Sequence, residues 1–244
     1  MGTEPKGRPF VVTGCGRSGT KYTAQLLSAA GVPCSHEGVF TGRIDDPMPI
    51  HALIADSSWL AAPFLHKLPP SALILHQTRN PLAVVTSYVA RGFFDQQVYE
   101  RPIWKHFLKR ILRRPPSGQY RLISLVREVL PQVFSERTPV RRAAKFWIDW
   151  NSLVEREARS LGLEYLTYRV EEIGTGLLTS LVGRITGNVM TAMTARAALE
   201  KVPTNVNTGP KRTLVSLDEL GSVGDELVAK ATSYGYKGLE RANW

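Results

Sequence analysis

The sequence has little cysteine and no long apolar run. Cys15 and Cys34 are its only two cysteines, which is too few for a disulfide framework, and reduced thiols are the simpler expectation. No apolar run approaches the roughly 20 residues that a membrane-spanning helix needs. The first ten residues, MGTEPKGRPF, contain no apolar signal core and no convincing acylation pattern. These absences predict a soluble, cytoplasmic protein without a membrane span.

Acidic side chains are scarce in one segment. Residues 101–145 hold twelve Lys and Arg side chains but only two acids, Glu128 and Glu136, and so account for the whole formal net charge of +10. Such a patch concentrates anionic partners near the protein. Three interpretations stay open: a solvated helical insertion, an arm for a polyanionic or membrane-surface acceptor, and a nucleic-acid surface. Specific nucleic-acid binding is disfavoured because aromatic residues are few here and no nucleic-acid motif is present.

What the sequence does contain is an alternation of strand and helix patterns. RPFVVTG, SALILHQTR and LEYLTYR predict buried strands, while residues 20–30, LAVVTSYVA, residues 143–161 and DELVAKATSYGY predict helices. Ser216 and Glu219 have the spacing of a capping box before the last of these helices. Alternation of this kind predicts an α/β fold with three layers, in which helices cover both faces of a mostly parallel central sheet. With 244 residues, 43% of them hydrophobic, the chain can form a single domain over residues 1–244, with a basic, largely helical insertion at about 95–140.

The segment VVTGCGRSGTKYTAQLL, residues 11–27, predicts a phosphate-binding loop. Three glycines after a buried strand let backbone N–H groups turn inward, and the following helix directs its positive end to the same place. The loop that binds nucleoside triphosphates has Lys directly after its last glycine. Here Thr20 follows Gly19, and the lysine comes one position later as Lys21. The loop is therefore P-loop-like without being an ATP-binding loop. A dinucleotide site is not favoured either, because no acid near residue 45 closes a predicted strand.

Carboxylates are absent where a metal-dependent phosphoryl transferase would need them. The strand SALILHQTR ends in His76, Gln77, Thr78 and Arg79, and LEYLTYR ends in Arg169. A kinase usually holds its magnesium with an Asp at such a strand end. Fixed cations without a metal carboxylate suit a donor whose leaving group is stabilised by Arg and Lys alone.

The motifs GRSGT, after a strand, and TRNPLAVVTSY, later in the chain, resemble those of sulfotransferases that use 3′-phosphoadenosine 5′-phosphosulfate (PAPS). The resemblance implies that PAPS is the donor, that 3′,5′-ADP is the product, and that no metal is required. It also implies that the 3′-phosphate binds Arg79, at the end of a strand, and Ser87, eight residues later and about two turns into the next helix. The 5′-phosphosulfate would bind the first motif, and a late loop, NVNTGPKR, would close over the nucleotide. The donor-binding residues implied by the two motifs and this late loop are Gly16, Arg17, Ser18, Gly19, Thr20, Lys21, Arg79, Ser87, Lys211 and Arg212.

The resemblance covers residues 9–90 and 144–240 and leaves 95–140 unmatched. GVPCSHEGVF resembles the second strand and loop of the family, and YLTYRVEEI resembles a later segment. Lys21 departs from the usual threonine and either adds charge at the phosphosulfate or points away. Arg17 stands where animal cytosolic members have lysine, as it does in carbohydrate-type and many bacterial members.

A charge-based mechanism follows from the resemblance. Arg17 and the amides of residues 18–20 would stabilise the charge that develops on the leaving group. The base would be Glu37, with His36 as the second choice and His51, His66 and His76 in reserve. The acceptor would be a small molecule, glycan or lipid, possibly anionic, with no specific nucleic acid as partner. Two other classes remain open: a metal-dependent phosphoryl transferase of the P-loop type, and a non-enzymatic module that binds anions or nucleic acid.

Overall fold

The structure is a computed structural model that describes residues 7–40, 54–95, 118–204 and 215–239. Lys211, Arg212, His51 and the first part of the basic segment lie outside the described residues. The chain divides into two compact units, one of residues 1–80 and 150–208 and the other of residues 81–149 and 209–244. The expectation of a single domain stays a prediction.

The first unit contains a parallel sheet. Within the described residues its order is β2-β3-β1-β4-β5, and every neighbouring pair is parallel. The strands are β1 (Phe10–Thr13), β2 (Ser35–His36), β3 (Ala55–Ser57), β4 (Leu73–Thr78) and β5 (Glu164–Arg169). The predicted α/β class is confirmed. From the central β1 the chain first adds β2 and β3 on one side and later adds β4 and β5 on the other. Ligands are expected at the carboxyl end of β1, where the order of the strands changes direction.

Helices cover both faces of this sheet. On one face, α1 (Thr20–Ala29), α5 (Thr175–Thr186) and α6 (Ala192–Lys201) pack on alternate residues of β1 and β4, beginning with Phe10 and Leu73. On the other face lie a 3₁₀ helix, Trp59–Lys67, and the last part of α4 (Pro139–Ser160). There the Trp150 indole donates to the Trp59 carbonyl at 3.1 Å, and the two rings lie 5.1 Å apart. The three layers follow from apolar residues that alternate along each buried strand.

The second unit is helical where the structure describes it. It holds α2 (Pro81–Ala90), α3 (Gly118–Val129), the first part of α4, α7 (Ser222–Ser233) and two 3₁₀ turns, Pro131–Ser135 and Asp218–Leu220. Its core is aromatic, with Tyr88 within 5.5 Å of the rings of Phe93, Phe94 and Phe146. The predicted capping contact exists, since the Ser216 amide donates to Glu219 at 2.9 Å. It precedes the 3₁₀ turn rather than an α-helix, because α7 begins only at Ser222.

Most of the described cations of the basic segment make contacts within the second unit. The Arg127 guanidinium lies 4.9 Å from the centre of the Phe134 ring, and Arg141 pairs with Glu136 at 2.9 Å. Arg142 is buried and donates to the Phe94 carbonyl at 3.3 Å. Lys145 pairs with Glu226 at 2.8 Å and with Asp149 at 3.3 Å. These cations support the packing of the unit and are poorly suited to recruiting a ligand.

No helix in the described ranges is both long enough and apolar enough to cross a bilayer.

Candidate functional site

The loop of residues 14–19 joins β1 to α1 at the carboxyl end of the sheet. Gly14 is required because a Cβ at this position would collide with the carbonyl oxygen of Gln77 on β4. Gly19 precedes α1 with a φ of 96°, and no side chain caps the helix. The first-turn N–H groups of α1 therefore lack a side-chain acceptor, and such groups bind anions well.

Arg17 occupies an unusual backbone conformation within this loop. Its φ is 69°, and it shares a positive φ with only one other non-glycine residue among those described, Glu37 at 54°. Residues held in this region cost free energy and often occur at functional sites. The Arg79 guanidinium donates to the Arg17 carbonyl at 3.1 Å. Two arginines predicted to bind the donor thus meet at one loop.

Two hydroxyl groups next to the loop are buried without a partner. Ser18, within the loop, and Thr13, the last residue of β1, are both 0% exposed. Among the described residues neither side-chain oxygen has a hydrogen-bond partner. Since buried hydroxyls are nearly always hydrogen-bonded, the loop has unfilled polar capacity where an anion would bind. Ser18 therefore fits the phosphosulfate assignment.

Gln77 holds the loop from the face of the sheet that α1 covers. Its amide nitrogen donates to the Ser18 carbonyl at 2.5 Å. Its oxygen accepts hydrogen bonds from the Thr23 hydroxyl and, at 2.7 Å, from the Tyr168 hydroxyl. Burial raises the pKa of the Tyr168 phenol well above its usual value, so this group remains a donor. Gln77 thereby connects β4, β5, α1 and the loop.

His76, the preceding residue of β4, holds the loop indirectly from the opposite face. The Asn151 side-chain oxygen accepts from the Cys15 amide at 3.1 Å and lies 2.9 Å from His76 Nε2. An amide oxygen only accepts, so His76 is the donor from Nε2, and its Nδ1 accepts from the Tyr165 hydroxyl. The reserve role of His76 as a base stays untested, but both of its ring nitrogens are engaged.

The two candidate general bases, His36 and Glu37, lie beside the first residue of α1. His36 ends β2, and its Nε2 is 3.3 Å from the Thr20 hydroxyl and 3.8 Å from the Glu37 carboxylate. Both side chains are about one-third exposed, at 31% and 36%. The structure thus brings His36 and Glu37 together with the end of the phosphate-binding loop, in positions accessible to a substrate.

Asp56 fixes the backbone that follows Glu37. This β3 residue is 0% exposed. Its carboxylate accepts from the amides of Gly38, Val39 and Phe40 at 3.1–3.2 Å and from the Ser35 hydroxyl at 2.6 Å. With four donors on its two oxygens, Asp56 positions the loop and has little capacity left for a metal. Among the described residues no group of three His, Cys, Asp or Glu is arranged to hold a metal ion.

Lys21 lines a groove beside the loop. The groove has a volume of about 610 Å³ and is lined by residues of α1, of the segment 34–36 and of the end of α6. His36 and Cys34 also line it. Burial, followed by the charge of Asp56, raises the pKa of the Cys34 thiol to about 12, so Cys34 is not a nucleophile at neutral pH.

Five predicted residues stay untested at this site: Ser87, His51, His66, Lys211 and Arg212. Ser87 lies on α2 in the second unit, and its assignment to the 3′-phosphate stays a prediction. Lys211 and Arg212 lie outside the described residues. His66 is exposed on the 3₁₀ helix that covers the sheet.

Sequence reasoning missed three groups that support the site: Asn151, which contacts the loop, Tyr168, which contacts Gln77, and Asp56, which holds the segment after Glu37. Asp56 and Asn151 each interrupt an otherwise buried pattern, in IADSSWL and FWIDWNSLV. A polar residue in such a position signals a buried hydrogen-bond network. The signal identifies the residue but not the partner, because Asn151 and Cys15 are separated by 136 residues along the chain.

No family model, no curated protein and no solved structure matches this chain.

Proposed function

We propose that this chain is a sulfotransferase that moves a sulfuryl group from PAPS to an acceptor hydroxyl. The observation that carries the proposal is the loop after β1. It combines an arginine in a left-handed conformation, an unpartnered buried serine hydroxyl and an uncapped helix start, with no lysine after its last glycine. The His36–Glu37 pair lies beside the end of this loop.

The donor phosphosulfate binds where these groups converge. Backbone amides of the loop and of the first turn of α1 donate to its oxygens, and the Ser18 hydroxyl gains the partner it lacks. Arg17 supplies a fixed positive charge. Arg79 holds the Arg17 carbonyl and is the described candidate for the 3′-phosphate, while Ser87, Lys211 and Arg212 are proposed on the motifs alone.

The reaction is a single in-line transfer. An acceptor oxygen forms a bond to sulfur as the bond from sulfur to the bridging phosphate oxygen breaks. The bridging oxygen keeps the electron pair, and 3′,5′-ADP leaves. The proton of the acceptor hydroxyl passes to Glu37 or His36. Arg17 and the loop amides stabilise the charge on the leaving oxygen, and removal of one such donor typically costs about 10²–10³ in rate.

Phosphoryl transfer from ATP fits the same loop less well. That chemistry usually needs a lysine after the last glycine and a carboxylate for magnesium. Thr20 takes the place of the lysine. Asp56 lies on the strand beside β1, but its carboxylate already accepts four hydrogen bonds.

Nucleotide choice tests the proposal. At a concentration of 100 times its Kd, 3′,5′-ADP should stabilise the protein by about 2.7 kcal/mol, measured as a rise in Tm. 5′-AMP should give a much smaller rise because it lacks the 3′-phosphate. Stabilisation by ATP with magnesium, and none by 3′,5′-ADP, would replace the proposal with a phosphoryl transferase. A screen with labelled PAPS against phenols, glycans, lipids and peptides then measures transfer directly.

The base is tested by two conservative variants. Glu37→Gln and His36→Gln each keep the size of the side chain and remove the proton acceptor. Loss of the base should lower kcat by about 10²–10⁴, with 3′,5′-ADP affinity unchanged. If Glu37→Gln stays active and His36→Gln does not, the base is His36. Full activity of both variants would remove this pair from the mechanism.

A further inference from the structure

The groove beside the loop has the size and polarity of a small-molecule site. Its volume of about 610 Å³ falls within the range of about 300–1,000 Å³ usual for such sites. One wall is a face of α1 that presents polar side chains at helical spacing, while Leu26 and Leu27 of the same helix face the core. The lining residues are Lys21, Ala24, Gln25, Ser28, Ala29, Cys34, His36, Lys201, Val202 and Pro203.

The charge of the groove has one sign. Two lysines line it, Lys21 from the first turn of α1 and Lys201 from the last residue of α6, and no acid does. Neither ammonium group has a hydrogen-bond or ion-pair partner among the described residues. The nearest acids along the chain are committed elsewhere, because Glu200 pairs with Arg196 at 3.0 Å and Glu37 faces His36. An anionic group is the natural counterpart of such a surface.

His36 connects the groove to the phosphate-binding loop. Its ring lines the groove, while its Nε2 is 3.3 Å from the hydroxyl of Thr20, where the loop becomes helix. A hydroxyl bound in the groove at His36 therefore lies next to the place proposed for the sulfuryl group. Glu37 does not line the groove, although its carboxylate is 3.8 Å from the same nitrogen.

We infer that this groove is the acceptor site, and that the acceptor is a small hydroxyl-bearing anion whose carboxylate or ester sulfate binds Lys21 and Lys201. The inference rests on the proposed function. It moves Lys21 from the donor to the acceptor and places proton removal at His36, with Glu37 behind it. It also does not require the described part of the basic segment, in which Arg127, Arg141, Arg142 and Lys145 make contacts within the second unit.

Matched acceptor pairs test the charge requirement. The first pair is p-nitrophenyl β-D-glucuronide with p-nitrophenyl β-D-glucoside, which differ only at C6, a carboxylate in the first and a hydroxymethyl group in the second. The second is p-nitrophenyl N-acetylglucosaminide with and without a 6-sulfate, which distinguishes a carboxylate from an ester sulfate. Sulfation from labelled PAPS should favour the charged member of at least one pair by tenfold or more in kcat/KM. Equal or better use of both neutral members, or no use of any charged member, would overturn the inference.

Charge-removing variants test the two lysines. For the preferred acceptor, Lys21→Gln and Lys201→Gln should each raise KM by about tenfold, the value of one charge-assisted hydrogen bond. KM for the neutral member of the pair should not change. Lys237→Gln, which removes an exposed lysine from the second unit, is the matched control and should leave both values unchanged.

Measurement of 3′,5′-ADP binding distinguishes failure of the acceptor-site inference from failure of the proposed function on which it rests. If 3′,5′-ADP fails to stabilise even the wild-type protein, the proposed function is wrong. If 3′,5′-ADP binds and Lys21→Gln weakens this binding, Lys21 belongs to the donor site and only the groove assignment fails.

Ser28→Trp, which fills the groove from an exposed position of α1, gives a second check. It should abolish acceptor turnover without changing 3′,5′-ADP affinity, and normal turnover by this variant would also exclude the groove.

Discussion

The two ends of the five-stranded sheet are held together by different chemistry. At the amino end, Arg8 donates to the Ser71 carbonyl at 2.8 Å and 3.0 Å and pairs with Glu164, which also pairs with Arg184 at 3.3 Å. These charged groups are partly exposed. At the carboxyl end, the buried, uncharged side chains of Gln77 and Asn151 contact the loop of residues 14–19, together with the cationic Arg79.

Under the proposed function, the difference explains how the loop could remain favourable for an anion. A carboxylate in place of Asn151 could accept from the Cys15 amide as well as the amide oxygen does, but its charge would oppose the binding of an anion. The side chains that contact the loop backbone are neutral, in Gln77 and Asn151, or cationic, in Arg79. Asp56 holds a neighbouring backbone segment instead. Charge at the amino end has no such constraint.

Replacement of Gln77 should have the largest effect on stability and ligand binding at the carboxyl end of the sheet. Gln77→Met keeps the length of the side chain but leaves the Ser18 carbonyl and two hydroxyl groups, those of Thr23 and Tyr168, without partners. We expect a loss of about 2–4 kcal/mol in the free energy of unfolding and loss of the thermal shift by 3′,5′-ADP. Urea titration measures the first effect. A variant within about 1 kcal/mol of wild type would mean that the network is not structural.

Replacement of Asn151 should have the next largest effect. Asn151→Leu removes the acceptor shared by the Cys15 amide and His76, and we expect a cost of about 1–3 kcal/mol. Asn188→Leu changes an exposed asparagine of the same unit and should cost much less. Comparable urea midpoints for the two variants would contradict the role given to Asn151.

Replacement of the two tyrosines should show which of the two hydrogen-bond networks beside the loop affects donor binding. Tyr168→Phe and Tyr165→Phe each remove one hydroxyl donor, at a cost of about 1 kcal/mol. Only Tyr168 bonds to Gln77, which contacts the loop, so only Tyr168→Phe should weaken 3′,5′-ADP binding, by a few-fold. Calorimetric titration of both variants makes the comparison. Equal losses of affinity would show that the two networks act together.

These tyrosines also predict an alkaline effect. Burial raises the pKa of both phenols above the ordinary value of 10.0. Their contribution to stability is therefore fully present below about pH 10 and is lost as the pH rises toward the folded pKa, because the unfolded state ionises first. The stability difference between wild type and each Phe variant should shrink above pH 10.

The smallest effect is expected at the amino end. The hydrogen bond from Arg8, slightly opposed by desolvation, lowers the pKa of Glu164 below 4.5. Its contribution is present above that pH and is lost as the pH falls through the lower folded pKa. Since the Glu164 side chain is 44% exposed, Glu164→Gln should cost less than about 1 kcal/mol at pH 7 and less than that at pH 3. Thermal unfolding at both pH values tests this, and a loss that is undiminished in acid would contradict it.

The fold was predictable where a strand is a continuous apolar run. β1 and β4 have that pattern, and the parallel arrangement of β1, β4 and β5 is confirmed. β5, predicted as a buried strand, is a strand in which only Tyr168 is buried, because it lies at the end of the described sheet. β3 is buried but consists of Ala55, Asp56 and Ser57, so no hydrophobic pattern reveals it. β2 has only two residues, both exposed, and was expected only from resemblance.

Only the part of the candidate site that is continuous along the chain was predictable from the sequence. The glycine spacing identifies the loop because the ligand-binding groups are consecutive backbone amides. The supporting side chains of Gln77 and Asn151 reach the loop only after β4 and α4 have packed beside it. The groove is likewise formed by α1, residues 34–36 and α6, which no single motif contains. The proximity of Lys21 and Lys201 is therefore a property of the tertiary fold.

The left-handed backbone at Arg17 and Glu37 affects how this protein should be engineered. An L-residue with a side chain costs about 1–2 kcal/mol in that conformation, whereas glycine adopts it readily. A library selected for expression or heat resistance would therefore enrich glycine at both positions. Under the function proposed above, the selected variants would fold better and transfer the sulfuryl group far more slowly. Any screen for robust variants should hold residues 17 and 37 constant and select on turnover from the first round.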